Sequence, residues 1–177
     1  MSSILYAGVA RRMINARPGT PKFGLRLFAD PIQGIESDIT ATALVLDNSR
    51  TKLVLFALDL CELFNPYSDQ IRQAIADRLN IPRSHVMINI SHAHSTPSLP
   101  TGRRDSAERT YLAEIFAREL KSHILEAVDE AAANLQPVRV GAGRGEAKIG
   151  IYRREKGPDG HDVLGEVPDQ PIDDSVG

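Results

Sequence analysis

The chain has 177 residues, 42% of them hydrophobic and 25% charged, with a formal net charge of −2. That profile fits a globular domain large enough to bury a core, and it offers no basic excess for nucleic acid or an anionic membrane surface. Cys61 is the only cysteine, which excludes an intrachain disulfide and a structural thiolate cluster. No apolar run approaches the roughly 20 residues of a membrane-spanning helix. The opening MSSILYAGVARRMI lacks a charged segment followed by an apolar stretch and a cleavage site. A cytoplasmic location is therefore the default expectation, with secretion the alternative if a leader has been removed.

Ile4 to Ala10 reads as a first strand, and residues 15–36 as a long loop of the kind that is usually functional. Thr42 to Leu46 and Lys52 to Leu60 form two apolar runs joined by a turn at Asp47-Asn48-Ser49-Arg50. The second run, KLVLFALDL, is apolar at nearly every position, which predicts a strand covered on both faces. Ile71, Ile75 and Leu79 predict a helix from about Tyr67 to Leu79, with Asn65 or Ser68 as its cap. A turn and a strand, Val86 to Ile90, follow. A long helix spans about Ser106 to Leu135 and ends at Pro137, and Val138 to Gly145 reads as another strand. From Arg153 onward, glycines and prolines predict irregular structure. The class is α/β: a mixed, partly parallel sheet with helices packed outside it, in one domain over 1–177.

The segment that carries chemistry is Val86-Met87-Ile88-Asn89-Ile90-Ser91-His92-Ala93-His94-Ser95-Thr96-Pro97. An apolar strand runs into His-Ala-His, and in an extended backbone residues two apart share a side. His92 and His94 then project together from the strand's C-terminal end, where open α/β sheets place their sites. Two imidazoles there suit zinc, or one ligand beside one proton-handling group. Asp59, at the end of the preceding buried strand, is a candidate for orienting a histidine ring, or else the cap of a turn. Cys61 reads as a small core residue. Ser95 has no nucleophile elbow around it. His123 reads as a helix flank, His85 as an exposed residue, His161 as part of a turn, and Arg103-Arg104 as a solvated turn. The alternating Gly141, Gly143 and Gly145 lack the context of a phosphate loop and read as close packing in a sheet.

Several of these segments, in order, resemble the N-terminal part of the neutral/alkaline (non-lysosomal) ceramidase family. They are YAGVARRMINARPGTP, TATALVLDNSRTKLVLFALDLCEL, IRQAIADRLNIPRSHVMINISHAHSTP, and GIYRREKGPDG followed by VPDQPIDDSVG. The resemblance implies a zinc-dependent amide hydrolase cleaving an N-acyl, sphingolipid-like amide through a metal-bound water, with Zn2+ as cofactor. By that similarity His92 matches the zinc ligand, His94 the neighbouring catalytic histidine, and Arg153 the first residue of an arginine pair that would steady an oxyanion. The family's other ligands, a second His, a Glu and a Tyr, fall after the equivalent of Gly177. Gly34 to Asp38 lacks the family's His, and Tyr152 stands where Asn is usual. Two alternatives stand beside this one: a hydrolase of another small amide, ester or lactone, and a ceramidase-like binding protein without catalysis. The resemblance also implies a layered β-sandwich with surrounding helices, of which this chain is a portion. Such a portion leaves a sheet face or edge uncovered. The expected partners are a lipid or small-molecule amide and either the rest of a parent chain or another copy.

Overall fold

The computed structural model describes residues 4–24, 31–100 and 107–177. The chain forms two compact units, Met1–Val138 and Arg139–Gly177.

In the first unit, strands β1 (Leu5–Met13), β2 (Lys22–Gly24), β3 (Thr40–Asp47) and β4 (Lys52–Leu58) precede helix α1 (Tyr67–Leu79). Strands β5 (Val86–Ile90) and β6 (Ser95–Pro97), helix α2 (Ala107–Ala133) and strand β7 (Gln136–Val138) follow. Five strands form one sheet in the order β5-β4-β3-β1-β7, and β2 pairs with β6 separately. Only β4 and β5 run parallel, joined by α1; the other pairs are antiparallel. The expected mixed sheet with helices outside it is the architecture observed.

The β3–β4 turn closes through its own side chains. Asn48 Oδ1 accepts hydrogen bonds from the Arg50 and Thr51 amides at 3.0 and 2.8 Å, and Ser49 takes the left-handed conformation at φ 69°. Helix α1 ends on Asn80 at φ 51°, with Ile81 N–H donating back to Ala76 O at 3.0 Å. Its start differs from expectation. Asn65 and Ser68 bond to each other, and no side chain caps the first turn. Helix α2 ends at Ala133, four residues before Pro137, and Gln136, which the following proline bars from helical geometry, already belongs to β7. The expected start of α2, Ser106, lies outside the described residues.

The core lies between one face of the sheet and the two helices. Val54, Phe56, Leu58 and Val86 from the sheet meet Ile71 and Ile75 of α1 and Phe116, Leu120, Ile124 and Val128 of α2. Helix α2 lies directly on β1 at Gly8, where an added Cβ would come within 1.9 Å of Ala131 O. Arg78 of α1 and Asp129 of α2 make a two-pronged ion pair between the helices.

The opposite sheet face is open, which corrects the expectation for β4. Its side chains alternate: Val54, Phe56 and Leu58 are buried, while Leu53 and Leu55 remain 39% and 37% exposed. Val9 and Met87 stand on the same outer face, 59% and 60% exposed. A sequence apolar on both faces thus has helices on one face only. Among the described residues, no helix is long and apolar enough to cross a membrane.

The second unit is built from short pairs: β8 (Gly145–Glu146) with β11 (Ser175–Val176), and β9 (Arg154–Lys156) with β10 (Asp162–Leu164). The strand expected over Val138–Gly145 does not form. A Cβ added at Gly141, Gly143 or Gly145 would meet nothing within 4 Å, so close packing does not account for these glycines.

Candidate functional site

The parallel pair β4 and β5 delivers two chain exits at one end of the sheet. Leu58 faces Ile90 at the last register position, and Ser91 N–H extends the ladder to Leu58 O at 2.9 Å. Beyond that point the chain leaves the extended form. His92 sits at φ 56°, in the left-handed region. Histidine is among the few residues with a Cβ enriched there. The two imidazoles still meet, with ring centroids 4.7 Å apart and planes at 82°. They are brought together by a turn at His92 and not by strand alternation, which corrects the extended path expected from the sequence.

Across from the pair, the chain leaving β4 presents Cys61. Its carbonyl accepts a hydrogen bond from His92 Nδ1 at 2.7 Å. A carbonyl cannot donate, so Nδ1 carries the proton and the lone pair of the neutral ring lies on Nε2. The Cys61 thiol is buried, with Sγ 3.8 Å from His92 Nδ1. Burial, reinforced by the charge of Glu62, pushes the Cys61 thiol up, so it packs as a neutral group. Donor atoms of Cys61, His92 and His94 all lie within 4.8 Å of one another. Two imidazoles suit zinc or another borderline divalent ion, a neutral buried thiol does not act as a ligand, and a His whose second nitrogen is held by a carbonyl is typical of one. The residues therefore fit a metal, with the free Nε2 of His92 as the clearest donor.

His94 is exposed and lines a cavity of about 630 Å³. The long loop expected over 15–36 supplies much of the opposite wall: Asn15, Lys22 and residues 31–36 line the same space. Asn15 ties that wall together. Its Oδ1 accepts from Ile39 N–H at 3.0 Å, and its Nδ2 donates to Asp38 at 2.7 Å.

Asp59 serves the strand end. Its Oδ2 accepts from Thr40 N–H at 2.9 Å and from the Thr40 hydroxyl at 2.8 Å. Burial raises its pKa, but the Thr40 bonds, the Ser91 hydroxyl and Arg11 together bring the carboxyl below its usual value. The group that holds the His92 ring is the Cys61 carbonyl. Arg153 belongs to the second unit, exposed, immediately before β9, with its carbonyl accepting from Gly165 N–H at 3.2 Å. Arg103 and Arg104 lie outside the described residues. His85 Nδ1 is bonded to Lys52 O at 3.0 Å, and His123 lies 3.6 Å from Glu126 on α2.

The part played by Cys61 is not evident in the sequence, because it works through its main chain. One signal was available. Asp-Leu-Cys closes the strand parallel to the one that ends in His-Ala-His, so both exits share one end of the sheet.

No known family profile matches the chain, and no curated protein sequence matches it. Solved structures do. The crystal structure of neutral ceramidase from Pseudomonas aeruginosa superposes with a TM-score of 0.70 at 21% identity over 90% of this chain. The fold is ceramidase-like. A structure described as ceramidase complexed with C2 gives a TM-score of 0.68 at 20% identity over 89% of the chain. The chain spans about a quarter of those proteins, 27% and 26% of their lengths.

Proposed function

We propose that this chain is part of a zinc-dependent amide hydrolase that cleaves an N-acyl, sphingolipid-like amide, and that it forms one portion of a longer catalytic domain. The observation that carries this reading is the paired imidazoles beside a cavity, with His92 Nδ1 fixed by the Cys61 carbonyl. The ceramidase-like fold supports it, and so does the match of His92-Ala93-His94-Ser95 to that family's motif.

In this reading His92 would hold the ion through Nε2. A zinc ion there would supply Lewis acidity, polarising an amide carbonyl and lowering the pKa of water to about 7. His94, exposed at the cavity wall, takes and returns protons at an imidazole nitrogen. The family resemblance assigns Arg153 to the negative charge that develops on the carbonyl oxygen. The cavity beside His94 holds the substrate, with Ile32, Ile35 and Pro97 offering apolar contact and Lys22 and Glu36 polar contact. Further ligands come from parts of the parent protein outside this chain, consistent with the quarter of the ceramidase length that it spans. The open face of the sheet takes another layer, from that parent protein or from a second copy.

Metal analysis of the protein carrying this chain tests the reading. Near-stoichiometric zinc, and a rise in melting temperature when zinc is restored to the stripped protein, are expected. A protein that purifies without zinc and gains no stability from it would refute the hydrolase. A panel of short- and long-chain N-acyl amides, esters and lactones then reads the substrate class, with turnover expected on the long-chain amides.

A further inference from the structure

The two chain exits at the end of the parallel pair are joined by one hydroxyl. Thr96 is 2% exposed. Its Oγ1 accepts a hydrogen bond from Cys61 N–H at 2.9 Å and donates one to Ala93 O at 3.2 Å. The same Cys61 residue accepts the His92 Nδ1 proton at its carbonyl, 2.7 Å away. Thr96 thus grips both the residue that anchors the imidazole and the residue between the two histidines. Its own main chain is fixed from the far side by the β2–β6 pairing, in which Phe23 faces Thr96, and by Ser98 N–H on Pro21 O at 2.8 Å.

An isolated imidazole has no acceptor to choose its tautomer; the hydrogen bond made by one nitrogen decides which atom keeps the lone pair. Here the deciding acceptor is a main-chain carbonyl on an irregular segment, outside any strand. A carbonyl in such a segment is only as well placed as whatever holds its residue. For the Cys61 main chain that support includes the Thr96 hydroxyl, since a buried amide deprived of its acceptor is costly and the segment would shift to recover one.

We infer, resting on the metal-site reading for its functional weight, that Thr96 is a positioning residue. Through Cys61 it holds His92 as the Nδ1–H tautomer and presents Nε2 to a divalent cation. Valine matches threonine in shape but has neither the lone pair nor the proton. Serine has both.

The test is made first on metal-free, 15N-labelled protein, where long-range proton–nitrogen correlation reads the His92 tautomer directly. Wild type and Thr96→Ser are expected in the Nδ1–H form. Thr96→Val is expected to give a mixture with the Nε2–H form, and to weaken zinc binding about tenfold in a competition titration, the lower end of what losing such support costs. Serine should restore both. A purely structural role for Thr96 would lower the melting temperature of Thr96→Val without moving the tautomer. Wild-type His92 in the Nε2–H form would overturn the inference. So would a folded Thr96→Val with wild-type tautomer and zinc affinity. If Thr96→Val does not fold, wild type decides alone: a slowly exchanging Cys61 amide with Nδ1–H supports the relay, and a fast-exchanging one refutes it. If wild type binds no zinc, the hydrolase reading fails by itself, while the tautomer comparison still decides the relay.

Discussion

His94 stands edge-on to His92, 4.7 Å between ring centroids and 82° between planes, because the chain turns through the left-handed region at His92. The turn gives the rings unequal surroundings. His92 is anchored at Nδ1 by the Cys61 carbonyl, whereas His94 faces the cavity. An uncommon backbone conformation persists only where its surroundings enforce it, and such positions gather at functional sites.

The unequal roles are separable by mutation. His92→Ala should weaken zinc binding by at least about 100-fold, since even the loss of a supporting partner costs 10–100-fold. His94→Gln should leave zinc content near wild type while turnover falls about 10²–10⁴-fold, the range of general acid–base contributions. Equal loss of zinc in both variants would show that the two histidines are co-ligands.

Arg78 and Asp129 make a prediction about pH. Two hydrogen bonds from the guanidinium, first in weight, hold the Asp129 carboxyl below its usual value. A depressed folded pKa stabilises the folded state above the unfolded value, about 3.9, and that contribution is lost as pH falls through the folded pKa. Asp129→Asn should therefore lower the urea midpoint slightly at pH 7, and the gap from wild type should close below about pH 4. The pair is half exposed, so added salt should narrow the gap as well. A gap that persists at low pH would mean that Asp129 acts through packing.

How legible these features were in the sequence follows from which physical signal each leaves. The β4–β5 pair and its intervening helix show in side-chain periodicity, and the spacing His92-x-His94 was enough to expect the rings together. The path between them was misread, because alternation assumes an extended chain and φ at His92 is 56°. The anchor was not visible, since a carbonyl is present at every residue and only the fold singles out the one at Cys61. KLVLFALDL is apolar on both faces, and composition alone does not say which face this chain covers. The cap expected at Asn65 or Ser68 failed because the two side chains satisfy each other.

Gly8 tests the packing of α2 on β1. A Cβ there would sit 1.9 Å from Ala131 O, a main-chain atom that cannot swing away. Gly8→Ala should cost about 1–3 kcal/mol by overpacking, read as a lower urea midpoint with an unchanged slope. Gly143→Ala, where nothing lies within 4 Å, is the control and should stay within about 0.5 kcal/mol. If the two behaved alike, α2 would have room to move off the strand.

The two faces of β4 make the last comparison, on adjacent residues. Phe56 is 1% exposed in the core, while Leu55 is 37% exposed and pairs across the sheet with Met87, 60% exposed. Phe56→Ala should cost about 3–5 kcal/mol as a core truncation. Leu55→Lys with Met87→Glu places opposite charges side by side on the open face and should cost no more than about 1 kcal/mol in this chain. An uncovered apolar face of this kind promotes association. Sedimentation velocity should therefore show wild type associating with concentration and the double variant remaining monomeric. In the longer protein the same substitutions would bury two charges under the added layer, and the penalty should rise to several kcal/mol. A wild-type chain that stays monomeric, together with a longer protein indifferent to the substitutions, would mean that the face is exposed by design and that nothing docks there.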